Sequence, residues 1–188
     1  MTYIRESVRD MTFVENVRTD RVLEDIDPER LRLFVQGPTF LIGCGDCMKR
    51  FWECMAYISR LTGIPIQDFG FQLCVHNGAP LYLRRPESLE FSVILKHYRE
   101  ARDLNRADRV MILGHGPCGA AGLMRLDLEQ SFDQVMEGGL MAPKLFELPP
   151  KAILTTTHLD KGPNEKRLYR TSVDRWVDRN GSGLRAQI

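Results

Sequence analysis

The apolar and polar positions along this chain change period several times, and each change marks an element. Residues 1–37 are charge-rich, with apolar positions scattered at Ile4, Val8, Met11, Phe13, Val14, Val17, Val22 and Leu23. Asp27-Pro28-Glu29-Arg30 has the order of an N-cap, a proline at the first helical position and an acidic first turn, which predicts a short helix ending near Gly37. From Pro38 onward strand and helix signals alternate. Phe40-Leu41-Ile42 reads as a buried strand. Met48, Phe51, Trp52, Met55, Ile58 and Leu61 recur at helical spacing, with Gly63 as the stop, and the stripe Phe51, Trp52, Met55 is expected in the core. Residues 66–75 are the next strand candidate, although Gly70 weakens it. Ser88 to about Asn105 predicts a second long helix with Leu89, Val93, Ile94 and Tyr98 on the buried side. Residues 109–114 give a third strand, and 119–138 one broken or two short helices. The β-rich run 151–157 leads to the turn residues Asp160-Lys161-Gly162-Pro163, and 168–173 is expected to return antiparallel.

This alternation predicts an α/β fold: a central, mostly parallel sheet of about four strands with an antiparallel edge strand, helices on both faces and an N-terminal helical arm. A length of 188 residues suggests one domain, with an arm at 1–37, a core at 38–178 and a tail at 179–188 around Asn180-Gly181-Ser182-Gly183. The apolar groups of the arm need cover, from their own domain or from a partner subunit.

Charge and cysteine content narrow the function classes. The 26 basic and 25 acidic residues are interspersed and leave a net charge of +1, so no basic face for nucleic acid and no polybasic membrane patch is expected. No apolar run approaches the ~20 residues that cross a bilayer, and the N-terminus lacks a basic-then-apolar signal pattern. Five cysteines is an odd number for a disulfide framework, and the cytoplasm is the expected address.

Candidate chemistry sits where two apolar strands end. Residues 110–114 run into His115-Gly116-Pro117-Cys118-Gly119, and Phe40-Leu41-Ile42 runs into Gly43-Cys44-Gly45-Asp46-Cys47. Parallel strands ending side by side would gather Cys44, Asp46, His115 and Cys118 at one sheet edge. Two thiolates and an imidazole make a soft, tetrahedral set of the kind zinc prefers, leaving a fourth position for Asp46, Cys47 or water. With Cys47 as ligand the site would be a closed Cys₃His centre. Cys54 and Cys74 read as buried packing residues, His76 and His97 as surface or hydrogen-bonded groups, and His158 as structural. Residues 114–119 also match Gly-x-Gly-x-x-Gly. However, no acidic residue ends a strand about 20 residues later, as a dinucleotide site would require, and Pro117 removes a backbone N–H from the loop.

The same residues resemble the β-class carbonic anhydrases, whose zinc ligands come from a Cys-x-Asp-Ser-Arg loop and a His-x-x-Cys loop. His115-Gly116-Pro117-Cys118 keeps the second motif, while the first keeps Cys44 and Asp46 and replaces Ser-Arg with Cys47-Met48. Residues 75–80 are similar to the family's Arg-Asn-Ala-Gly-Asn segment with only Asn77 in register. Residues 88–93 are similar to its Ala-Ser-Leu-Glu-Tyr-Ala-Val helix start. The resemblance covers roughly residues 38–122. It implies a zinc cofactor held by Cys44, His115 and Cys118, and reversible hydration of carbon dioxide to bicarbonate by zinc-bound hydroxide. It also implies Asp46 as the catalytic acceptor of a hydrogen bond from that water, and a homodimer or dimer of dimers with an exchanged N-terminal helix. Relatives acting on carbonyl sulfide or carbon disulfide fall within the same expectation. In the family an arginine holds the aspartate off the metal. Met48 offers no such fork, so Asp46 could become a fourth ligand and leave a non-catalytic zinc protein, unless Lys49, Arg50, Arg84 or Arg85 supplies the cation.

Overall fold

A computed structural model describes residues 8–45, 48–160 and 166–181. Its strands are β1 (Leu23–Asp25), β2 (Thr39–Cys44), β3 (Phe71–His76), β4 (Arg109–Gly116), β5 (Ile153–Asp160) and β6 (Lys166–Thr171). They form one sheet in the order β1-β6-β5-β4-β2-β3. The four strands β3, β2, β4 and β5 run parallel, β6 returns antiparallel to β5, and β1 closes that side antiparallel to β6. The α/β architecture expected from the alternation is therefore present. β1 is the added strand, too short at three residues to show a period.

Every residue of β2 is buried, as a parallel strand covered on both faces must be. Phe40, Ile42, Val110 and Ile112 pack with Tyr98 and Phe146 of one helical layer. Leu41, Met111 and Leu113 pack with Phe34, Phe51, Met55 and Ile58 of the other. The helices are α1 (Val8–Thr19), α2 (Pro28–Gln36), α3 (Met48–Thr62), α4 (Ala79–Tyr82), α5 (Leu89–Asn105), α6 (Gly119–Leu123), α7 (Leu128–Leu145) and α8 (Val173–Asn180). Asp27 caps α2 by accepting from the Glu29 N–H, and Ser88 caps α5 by accepting from Phe91. Gly63, at φ +70°, follows the end of α3 in the left-handed conformation that glycine adopts without penalty.

Several sequence expectations need correction. Trp52 is 50% exposed and Met48 47%, because the buried stripe of α3 runs Phe51, Cys54, Met55, Ile58 and leaves these two, one turn apart, on the outer side. Leu89 is 76% exposed at the first helical position and Val93 is half-buried, whereas Ile94 and Tyr98 are buried as expected, together with Phe91 and Ala101. Residues 66–68 form a 3₁₀ turn, and β3 starts only at Phe71. Gly70 lies where the chain crosses the end of α2, and a Cβ there would sit 2.4 Å from the Gly37 carbonyl oxygen. α7 runs on past Gly138 and Gly139, which are sites of close approach: a Cβ at either would lie 2.8 Å from Leu83 Cβ or 2.6 Å from Thr155 Oγ1. α8 follows β6 over a stretch to which no helix was assigned, and only its last two residues fall in the expected tail. The turn expected at 160–163 falls largely outside the described residues.

The arm lies on its own chain. Phe13, Val14 and Val17 of α1 pack with Phe132 and Met136 of α7 and Trp176 of α8, and the Phe13 and Phe132 rings meet edge-on at 5.5 Å. That apolar surface is covered without a second subunit.

The strand order sets where a site can form. From β2 the chain crosses to β3 on one side, and from β4 it crosses to β5 on the other. The crevice at the carboxyl ends of β2 and β4 is thus a topological switch point, where the connecting helices diverge and leave the strand ends open.

Candidate metal centre

Cys44 is the last residue of β2, and His115 lies one residue before the end of β4. The register pairs Gly43 with Leu113, so the two strands end beside each other. Cys118 follows directly as the N-cap residue of α6. The ligand atoms of Cys44, His115 and Cys118 all lie within 4.8 Å of one another, a group that can hold a metal ion. Of the four residues the sequence gathered, three converge. Asp46, and with it Cys47, lies outside the described residues.

The geometry suits a tetrahedral thiophilic ion. Two sulfurs each about 2.3 Å from one tetrahedral zinc stand about 3.8 Å apart. The Cys44 and Cys118 sulfurs are 3.7 Å apart, and both cysteines are free thiols rather than a disulfide. The neighbouring Cys118 thiol, and then burial, push the Cys44 thiol above its ordinary range, while a hydrogen bond with His115 pulls against them. Two close thiols keep each other protonated until a cation replaces the protons.

Main-chain groups support the set. The Gly78 N–H donates to Cys44 Sγ at 3.1 Å. Gly78 is the N-cap of α4 at φ +74°, a left-handed conformation natural to glycine, and this turns its N–H toward the sulfur. His115 Nδ1 lies 3.0 Å from the Pro117 carbonyl. A carbonyl only accepts, so Nδ1 carries the proton and Nε2 presents its lone pair. The Arg50 guanidinium donates to the same Pro117 oxygen. Arg84, by contrast, is engaged with Glu137 at 2.8 Å. Arg50 is thus a cation that the structure brings onto the loop carrying Cys118. Neither Arg50 nor Gly78 was assigned a place from sequence alone; the positive-φ signal after Asn77 is the one cue that points to Gly78.

An apolar cleft opens on one side of the triplet. Pro80, Leu81, Leu128, Phe132 and Val135 line it together with Cys44, His115 and Cys118, around about 360 Å³ of empty space that is partly open to solvent. On the other side a smaller recess is lined by Arg50, Phe51, Cys54 and Leu113. The glycines of the dinucleotide-like pattern serve this packing. A Cβ at Gly114 would lie 3.2 Å from both Val135 methyls, and one at Gly116 would lie 2.4 Å from Leu128 Cδ1. The helix that follows has five residues, too few to offer phosphate a developed dipole.

The other cysteines and histidines stand apart. Cys54 and Cys74 are buried in the two helical layers, and burial pushes the Cys74 thiol up to about 11. His76 ends β3 beside the Tyr82 ring, and burial pulls its pKa down. His97 is exposed on α5. His158 is buried in β5, opposite His115 in the register.

No family model matches this chain, and no curated protein does. Among solved structures it is similar to a chain from two tetrameric β-carbonic anhydrases of the filamentous ascomycete Sordaria macrospora, at 10% identity and a TM-score of 0.40. That likeness covers 85% of this chain and 92% of the other. It is also similar to a β-carbonic anhydrase of the fungal pathogen Aspergillus fumigatus, at 12% identity and a TM-score of 0.37, over 93% of this chain and 94% of that one. A likeness this loose assigns no role to any residue. No helix among the described residues is long and apolar enough to cross a membrane.

Proposed function

We propose that this chain is a divergent zinc protein of the β-carbonic-anhydrase type that hydrates carbon dioxide reversibly. The observation that carries the reading is the 3.7 Å pair of sulfurs, with His115 beside it, at the switch point of the sheet. Cys44, His115 and Cys118 hold the metal, which when bound lowers the pKa of a water and so supplies hydroxide at neutral pH. The Gly78 N–H takes up part of the charge on the Cys44 thiolate. His115 Nδ1 and Arg50 converge on the Pro117 oxygen, which fixes the imidazole and the loop that carries Cys118. The apolar walls formed by Leu81, Leu128, Phe132 and Val135 suit a small, weakly polar substrate. In this reading Asp46 accepts the hydrogen bond that orients the reacting water. Residues 1–188 act as a single domain, at work in the cytoplasm as a homodimer or dimer of dimers. The half-exposed Trp52 and Leu73 of α3 and the edge strand β3 favour association.

A second reading has its own observation. Met48, where the family carries arginine, is half exposed and uncharged, which favours a zinc protein that has lost catalysis. Stopped-flow hydration of carbon dioxide by zinc-loaded protein separates the two. Turnover above buffer that disappears in Cys118→Ser supports the enzyme; stoichiometric zinc without turnover supports the non-catalytic protein. The same assay on carbonyl sulfide and carbon disulfide tests the related substrates.

A further inference from the structure

β5 carries three consecutive threonines, and strand alternation divides them between the two faces of the sheet. Thr156 faces one way and donates its hydroxyl to the Ile112 carbonyl at 3.0 Å. Thr155 and Thr157 face the other way. Each is 4% exposed, and neither hydroxyl has a hydrogen-bond partner among the described residues. A buried hydroxyl without a partner is unfavourable and calls for an explanation.

The surroundings of the two differ. Thr155 is roofed by α7, with the Gly139 backbone so close that a Cβ there would lie 2.6 Å from Thr155 Oγ1. Thr157 instead lines the cleft that holds Cys44, His115 and Cys118. Its register partner on β4 is Gly114, and a Cβ at that position would sit between Thr157 Oγ1, at 3.6 Å, and the Val135 methyls, at 3.2 Å. The missing side chain at 114 keeps the space beside the hydroxyl open. Most of the cleft wall is carbon, and the hydroxyl of Ser131, which also lines it, is engaged with the Leu128 carbonyl at 2.9 Å. Apart from the three metal-site residues, Thr157 carries the one side-chain donor left unengaged among the described lining residues.

We propose that the Thr157 hydroxyl orients a small oxygen-bearing ligand in this cleft by donating a hydrogen bond to one of its oxygens. On the functional reading above, on which this inference rests, that ligand is carbon dioxide on entry and bicarbonate on exit. A hydroxyl donor also discriminates. Sulfur is a weak acceptor, so Thr157 favours oxygen-terminated ligands over carbon disulfide.

The test uses cobalt(II)-loaded full-length protein, with bicarbonate titrated against the visible spectrum of the metal and thermal midpoints measured in parallel. Thr157→Val keeps the shape and removes the hydroxyl. It is expected to weaken bicarbonate binding about fivefold or more, the loss of one hydrogen bond, while raising the midpoint by relieving the buried hydroxyl. Thr155→Val is expected to raise the midpoint in the same way and leave bicarbonate binding unchanged. Thr157→Ser, which keeps the donor, is expected to bind within about twofold of the parent. Unchanged binding in Thr157→Val, lost binding in Thr157→Ser, or a parent spectrum that ignores bicarbonate would each overturn the proposal. Failure of the parent protein to take up cobalt would instead overturn the metal site, and this inference with it.

Discussion

Cys118 and Arg50 illustrate two different ways a residue can matter to the same centre. On the proposed reading Cys118 supplies a sulfur to the metal, so Cys118→Ser is expected to abolish stoichiometric zinc, as read by metal analysis after dialysis against a chelator; zinc retained at one per chain would contradict the assignment. Arg50 touches the Pro117 oxygen and acts through the loop, as groups around a metal's ligands commonly do. Arg50→Met is expected to lower zinc affinity about tenfold, within the range found when such supporting groups are removed. Met48→Arg, on the outer side of α3, is expected to change affinity and turnover little. A large gain in hydration rate from Met48→Arg would show that Arg50 does not serve the role. Asp133, on α7, gives a separate test away from the site. Burial raises its carboxyl above the usual range, and the Trp176 indole N–H, which donates to it at 2.8 Å, pulls it back. A raised folded-state pKa means that the folded protein takes up this proton first. The penalty is therefore present at neutral pH and is relieved as pH falls through the folded value toward the ordinary carboxylate range. Asp133→Asn keeps an acceptor for Trp176, so it is expected to match or exceed the parent's stability at pH 7 in urea titrations. That advantage should vanish below about pH 3, where both states are protonated.

At the scale of elements, what the chain announced depended on how local the determining physics was. Ser88 and Asp27 mark helix starts because a cap is a contact between residues two or three apart. The apolar runs of β2 and β4 were legible because a strand buried on both faces cannot carry polar residues. Trp52 and Leu89 were misassigned because helical spacing shows that apolar residues recur, not which of several overlapping stripes meets the sheet. The helical region was expected to stop at residue 138, yet Gly138 and Gly139 lie within α7, where Leu83 and Thr155 press against its backbone, a long-range fact invisible in any local window. Gly139→Ala is accordingly expected to destabilise the protein by about 1–3 kcal/mol, the usual result of overpacking. A midpoint equal to the parent's in urea would show that α7 can move away from Thr155 without loss.

For the whole molecule, the strand order governs the site. Cys44 and the His115–Cys118 pair are some seventy residues apart in sequence, and they meet because β2 and β4 are neighbours at the point where the connections diverge. The convergence of Cys44, His115 and Cys118 was readable from residue types and strand ends, and its surroundings were not. The Gly78 N–H, the Arg50 guanidinium and the Thr157 hydroxyl reach the site from three other elements, and no spacing rule joins them. Oligomeric state also belongs to this scale. With α1 folded onto its own chain, association would have to use other surfaces, and light scattering at micromolar concentration is expected to give at least twice the chain mass; a monomer mass would contradict a dimer. The central claim is that Cys44, His115 and Cys118 bind one zinc and leave its fourth position to a light atom. X-ray absorption at the zinc edge of stoichiometrically loaded protein tests it most directly. The predicted result is one zinc per chain with two sulfurs at about 2.3 Å and two nitrogen or oxygen neighbours at about 2.0–2.1 Å; three or more sulfurs in the first shell, or no zinc bound at all, would contradict it.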